Sequence, residues 1–155
     1  MNSNGARIYL ASPLFSPSER ERNCRLRDMM LQIGNVYLPQ EDGGLIFDLV
    51  KQGVGVEDAK RRVFDVDIEA INRCDVLVIV LDGRSIDEGA CFELGYAFAA
   101  GKKCVGIKTD TRSLFSFGDN PMIECALQRI FTSDEDLVDW LRTSACHREA
   151  MPRRL

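Results

Sequence analysis

Four side chains have the type and spacing to do chemistry: Glu93, Asp87, Asp67 and Tyr9. Glu93 is the most telling. It falls inside a predicted helix from about Glu88 to Ala100, where it is the only charged residue after the first turn. Its neighbours at helical spacing are Gly89, Ala90, Tyr96 and Ala97, so it shares its face with no other charge. A lone carboxylate on a small, apolar face is costly unless it is paired or used. The helix follows the run Val76–Leu81, whose length and β-branched content read as a buried strand. Ligands of open α/β sheets bind at the carboxyl ends of such strands. A helix N-terminus favours the ionised form of an acid, and an ionised acid is what attacks carbon. Glu93 is therefore a candidate nucleophile, against the plainer reading of an acid hidden in an ion pair.

The other candidates gather around it. Asp87 lies six residues earlier, in the loop or first helical turn, where its plainer role is to complement the helix terminus. Asp67 lies near the end of the preceding helix between Asp65 and Glu69, and a solvated helix face is the plainer account of it. Tyr9 stands near the carboxyl end of the first strand, and Phe15 in the loop after it. Both could be core packing. In a functional reading Tyr9 hydrogen-bonds the nucleophile, and Phe15 lines an apolar wall against which a planar ring stacks.

These groups must be carried by a regular framework. Arg7–Ala11 reads as a first strand ended by Ser12-Pro13. A helix opens at Pro17 with Ser16 as N-cap and runs to Ile33, where Gly34 stops it. Asn35–Pro39 is a short second strand. Gln40–Gly55 reads as a mobile, glycine-containing loop with a short helical piece near Leu45–Lys51. Val56–Asn72 has clear helical periodicity. Val76–Leu81 is the third strand, and the Glu93 helix follows with Ser85 and Glu88 as a capping box and Gly101 at its C-terminal end. Lys103–Lys108 is a fourth strand, Thr109–Asp119 a loop, and Asn120–Leu127 a short helix with Pro121 in its first turn. Ile130 and Phe131 form a small edge strand, and Ser133 caps a last helix, Asp134–Arg142. Alternating strands and helices predict a doubly wound, five-stranded parallel α/β sheet in the order 2-1-3-4-5. The residues after Leu10 then lie beside those after Leu81, at the switch point.

Composition narrows the chemistry. A net charge of −4 offers no basic excess for a nucleic-acid polymer. No apolar run is long enough to span a membrane, and the first residues lack the apolar core of a signal peptide, so one domain over residues 1–155 in the cytoplasm is expected. None of the six cysteines forms a C-x-x-C pair, so they read as reduced thiols rather than metal ligands. The one histidine, His147, lies in a polar tail (145–155, expected to be flexible), which makes a histidine triad or metal centre hard to build. No glycine-rich phosphate loop is present. Two or more carboxylates without metal ligands or a phosphate cradle point toward glycosyl chemistry, in which one acid attacks the anomeric carbon and another manages the leaving group's proton.

Tyr9 with Phe15, Asp67, the Asp87-x5-Glu93-Leu-Gly-Tyr block and Asn120-x-Met122 together resemble the nucleoside 2-deoxyribosyltransferase family, over about residues 7 to 125. The resemblance implies a flavodoxin-like fold and no cofactor. It implies 2′-deoxynucleosides and free nucleobases as substrates, with Glu93 attacking C1′, Asp87 exchanging a proton with the base, Asp67 holding that base and Tyr9 orienting Glu93. It further implies a homo-oligomer with a shared active site, because Asn120 and Met122 match residues that reach a neighbouring subunit's site. Gln40-Glu-Asp42 stands where members place base- or sugar-contacting residues, and the tail lacks a terminal tyrosine that some members contribute. One rival keeps the chemistry but passes deoxyribose, or its 5-phosphate, to water. Such relatives carry a Gly-Ser-x-Arg-Gly-Gly-like loop where this chain has Ala11-Ser-Pro-Leu-Phe15, leaving Arg20 and Arg22 to meet a phosphate. Another is a nucleotide-sensing domain without catalysis, for which a nucleophile would serve no purpose.

Overall fold

The computed structural model describes residues 5–110, 112 and 118–144. Among them, five parallel strands form one sheet: β1 (Ala6–Ala11), β2 (Gly34–Tyr37), β3 (Val76–Val80), β4 (Lys103–Ile107) and β5 (Ile130–Phe131). Their order is β2-β1-β3-β4-β5, as the alternating pattern predicts. β3 is buried at every position, which is why its sequence is an unbroken aliphatic run: a central parallel strand has both faces covered.

Period-2 alternation divides the core. Ile8 and Leu10 of β1 and Val78 and Val80 of β3 pack on one side with Leu26 and Met30 of α1 (Pro17–Met30) and Leu137 and Leu141 of α6 (Asp134–Ser144). Tyr9, Ala11, Leu77 and Ile79 face the other way. They meet Ile71 of α3 (Val56–Arg73) and Ala90, Leu94 and Ala97 of α4 (Glu88–Ala99). The side chains of Tyr9 and the α4 helix are thus committed to the same face by strand geometry. Two shorter helices, α2 (Ile46–Lys51) and α5 (Pro121–Glu124), complete the described elements. None of the described helices is long and apolar enough to cross a membrane.

Several boundaries differ from the sequence reading. The first helix ends at Met30, not Ile33, and Gly34 opens β2 instead of merely stopping the helix. Its lack of a side chain is required there, since a Cβ would stand 1.9 Å from the Ala6 carbonyl oxygen of the adjoining strand. Ser16 does cap α1, and Glu19 completes a capping box that the sequence reading placed elsewhere. At α4 the cap is Asp87, whose Oδ2 accepts from Ala90 N at 2.8 Å, so the Ser85–Glu88 box does not form. Gly101 follows α4 at φ 73°, as its C-terminal position predicts.

Within the stretch read as a mobile loop, the helical piece expected near Leu45–Lys51 forms, and the turn before it is tied down. Pro39–Gly43 forms a π-helical turn and Ile46–Lys51 a short helix. The buried Asn23 amide donates to the Pro13 carbonyl and to Gln40 Oε1, while Gln40 Nε2 donates back to the Arg20 carbonyl. Glu41 pairs with Arg27, and Asp42 accepts from Leu38 N. The side chains of Gln40, Glu41 and Asp42 therefore bind this turn to α1 and to its own backbone. α5 is shorter than predicted, with Asn120 as its cap rather than its first residue. Cys146, His147 and the rest of the 145–155 tail lie outside the described residues, as does most of the Thr109–Asp119 loop.

Candidate active site

The carboxyl ends of β1, β2 and β3 bring the predicted acids together. Tyr9 is fully buried, and its hydroxyl donates to Glu93 Oε1 at 2.7 Å. Core packing and a role toward Glu93 are both true of it: the ring belongs to the α3–α4 side of the core while the hydroxyl reaches the acid. Glu93 is pushed up to about 8 from the usual carboxylate range. Burial is the main cause, the Tyr9 bond opposes it, and the charges of Asp67 and Asp87 add to it. The expectation that the helix N-terminus keeps Glu93 ionised is thereby corrected. Glu93 sits in the second turn of α4, where the end effect has faded, and burial outweighs it.

Asp67, on α3, is also held above its usual range by burial, against a hydrogen bond from Tyr37 that lowers it. That bond runs from the Tyr37 hydroxyl to Asp67 Oδ1 at 2.8 Å. Tyr37 is in register with Tyr9 across β1 and β2, and the two rings stack with centroids 5.2 Å apart and planes 17° from parallel. Sequence reasoning passed over Tyr37. Its signal was its place at the carboxyl end of the strand beside β1, which the predicted strand order already implied.

Asp87 combines two functions of position. It caps α4, and its charge is felt by Glu93. The loop that carries it is anchored at its start by Asp82, whose carboxylate accepts from Thr109 N, Thr109 Oγ1 and Asp110 N. These three bonds tie the end of β3 to the end of β4 and fix where the loop begins.

Phe15 is 77% exposed, so the core-packing account of it fails. Its own carbonyl and that of Leu14 are held by the Arg20 guanidinium, and Arg22 pairs with Asp134. Both arginines considered for a phosphate are thus engaged in structural contacts. Asn120 uses its side-chain oxygen to cap α5 at Met122 N, and Met122 is 79% exposed. Among the described residues no hydrogen bond joins Asn120 to the Glu93 cluster.

A separate cavity of about 500 Å³ opens between the first turn of α4 and α5. Cys91, Arg84, Lys108, Asn120 and Ile123 line it, but Glu93, Tyr9, Asp67 and Asp87 are not among its described lining residues. Cys91 and Glu93 are two residues apart on one helix, so they face nearly opposite ways. Burial and the nearby Asp87 push the Cys91 thiol up, which suppresses its nucleophilic form.

The fold and site define a flavodoxin-like α/β protein with a phenol-bonded carboxyl group and two further acids at the switch point of its sheet. The chain belongs to the nucleoside 2-deoxyribosyltransferase family, whose model matches residues 8–141. It is similar to the crystal structure of a conserved protein from Enterococcus faecalis V583, at 26% identity and a TM-score of 0.72, over 89% of this chain and 98% of that one. It is also similar to the 2-deoxyribosyltransferase of the psychrotolerant bacterium Bacillus psychrosaccharolyticus, at 25% identity and a TM-score of 0.71, covering 86% and 91%. The CMP N-glycosidase BcmB of Clostridium botulinum shares the fold, with 17% identity and a TM-score of 0.55 over 87% and 97% of the two chains. No curated protein sequence matches the chain.

Proposed function

We propose that the protein transfers the 2-deoxyribosyl group between nucleobases through a covalent deoxyribosyl-Glu93 intermediate, with overall retention at C1′. The observation that carries this reading is the 2.7 Å hydrogen bond from the buried Tyr9 to Glu93, a half-buried carboxyl group of the middle helix. In the first step a Glu93 oxygen bonds to C1′ as the C1′–N bond breaks. Its electron pair goes to the departing base, which takes a proton from Asp87. In the second, a nitrogen of an incoming base attacks C1′, the ester bond breaks, and the proton lost by that base returns to Asp87. Two inversions give net retention. Asp67 holds the base, and the exposed Phe15 ring covers its plane.

Asn120 and Met122 would then serve a neighbouring subunit, since Met122 is exposed on its own chain and, among the described residues, the Asn120 side chain bonds to its own helix. A second apolar feature supports assembly. α4 has few polar positions, yet Phe92 and Phe98 are about half exposed, and the Phe92 ring meets Phe64 of α3 6.0 Å away. We assign this apolar surface to the contact between chains.

Incubating the protein with a 2′-deoxynucleoside and a different free base tests the reading. The swapped nucleoside is the expected product. Release of free deoxyribose at an equal rate without acceptor base would instead make the protein an N-glycosidase. A phosphorylated substrate has less support, because Arg20 is held by the Leu14 and Phe15 carbonyls and the loop after β1 is no phosphate cradle.

The reading also fixes a pH dependence. Attack requires ionised Glu93, so the limb of kcat/KM that Glu93 governs should rise with pH through about 8. Tyr9 favours the ionised form, so Tyr9→Phe should move that limb to higher pH and cut the rate at pH 7 by roughly 10- to 100-fold, the worth of a hydrogen bond to a charge. Initial rates between pH 5 and 9.5 check both. A limb that does not move in Tyr9→Phe would separate the tyrosine from the nucleophile.

A further inference from the structure

The reaction above makes no use of Tyr37, yet this residue is bonded to one member of the site and stacked on another. We propose that Tyr37 is a positioning residue for Asp67 and that, closed over by Gly43, it makes Asp67 select nucleobases that present an N–H donor. The inference rests on the assignment of Asp67 to the base.

The argument is one of hydrogen-bond inventory. A phenol has one proton to donate, and Tyr37 gives it to Asp67 Oδ1. No hydrogen bond to the other oxygen, Oδ2, is present among the described residues. An ionised carboxylate is acceptor-only, so the oxygen left over welcomes an amino or ring N–H group and repels a carbonyl or bare ring nitrogen. Without the phenol, Asp67 could turn about its side-chain torsions and offer either oxygen. Burial would also drive it toward its protonated form, since the Tyr37 bond is what opposes that burial. A protonated acid can donate, and the discrimination would fade.

Two neighbours prevent Tyr37 from moving. On one side its ring lies on Tyr9, which is fully buried. Against its hydroxyl stands Gly43, in the turn fastened to α1 through Gln40 and Asn23. A Cβ at position 43 would come within 2.5 Å of Asp67 Oδ1 and 2.8 Å of the Tyr37 hydroxyl oxygen. Only a residue without a side chain lets the turn approach the bond so closely. The Gln40–Asp42 stretch would therefore act on the base indirectly. Its side chains hold the turn, the turn holds Gly43 against the Tyr37–Asp67 bond, and that bond sets the free oxygen. Tyr9 and Tyr37 also place the two acids on one rigid aromatic pair, so the base holder and the nucleophile keep a fixed separation.

Tyr37→Phe keeps the stacked ring and removes only the hydroxyl. Base exchange is measured with adenine against unsubstituted purine as acceptor, or with cytosine against 2-pyrimidinone if the protein refuses purines. The expected result is a KM for the amino-bearing base raised about ten-fold, with kcat within about three-fold, as for loss of one oriented hydrogen bond to substrate. Preference for the amino-bearing base over its amino-free analogue should fall by a similar factor. Gly43→Ala should shift KM and preference in the same direction, and it leaves the aromatic pair intact. Unchanged KM and preference in both variants would overturn the inference and leave the transferase reading standing. So would a fall in kcat alone, which would assign Tyr37 to the nucleophile. A wild-type protein that acts on no deoxynucleoside would overturn the parent reading and this inference with it.

Discussion

Glu93→Ala should abolish base exchange, with kcat expected to fall by roughly 10⁴- to 10⁶-fold, the scale seen when a covalent nucleophile is removed. The size of the effect follows from the site's construction. Asp67 and Asp87 are the acids whose charges reach Glu93, but Asp67 is bonded to Tyr37 and Asp87 to the start of α4. Neither is free to replace the acid to which Tyr9 donates. The same substitution should not harm the fold. Glu93 binds its proton more tightly in the folded chain, up to about 8, than in the unfolded one. The folded state therefore holds more protons between the ordinary carboxylate range and pH 8, and stability falls as pH rises through that window. Glu93→Gln, which cannot ionise, should melt several degrees above wild type at pH 8 to 9, with the gap closing near pH 4. Inactive protein that is more stable than its parent is the combination a catalytic acid predicts. A variant destabilised at every pH would mark Glu93 as structural.

Asp87→Ala is the second large effect, and it is compound. Loss of the group that exchanges a proton with the base should lower kcat/KM by about 10²- to 10⁴-fold. Loss of the N-cap on α4 should also cost about 1 kcal/mol of stability. The two losses separate in Asp87→Ser. Serine is an equally good cap for the Ala90 N–H, so stability should return, but a hydroxyl cannot carry the proton and activity should stay low. Chemical denaturation read beside kcat/KM for the two variants decides the matter. If Asp87→Ser recovers activity along with stability, Asp87 is a cap and nothing more.

What the sequence displayed and what it hid follow from the range of the forces involved. The strand order was legible because each apolar run and each crossover is local, whereas the bond from Tyr9 to Glu93 was expected from the family resemblance and not from the strand's pattern. The cap of α4 was not. Ser85, Asp87 and the acidic Glu88 offer two plausible starts two residues apart, and the loop fixed at Asp82 decides between them. The ionisation of Glu93 was misjudged for a related reason: the helix terminus is visible in sequence, but the burial that opposes it comes from β1 and α3. The 40–55 stretch read as mobile because its glycines suggest freedom. Its order comes from the buried amide of Asn23, whose partner is seventeen residues away. Tyr37 escaped notice although the strand order put it beside β1, because its residue-by-residue register with Tyr9 is fixed only in the assembled sheet.

The most direct measurement takes the protein turning over a 2′-deoxynucleoside with no acceptor base, quenches it in acid, and weighs its peptides. The account predicts one added deoxyribosyl group on the peptide containing Glu93, absent in Glu93→Gln and discharged when a free base is added before the quench. An unmodified Glu93 during base release, or a sugar carried on Asp87 or Asp67, would contradict it.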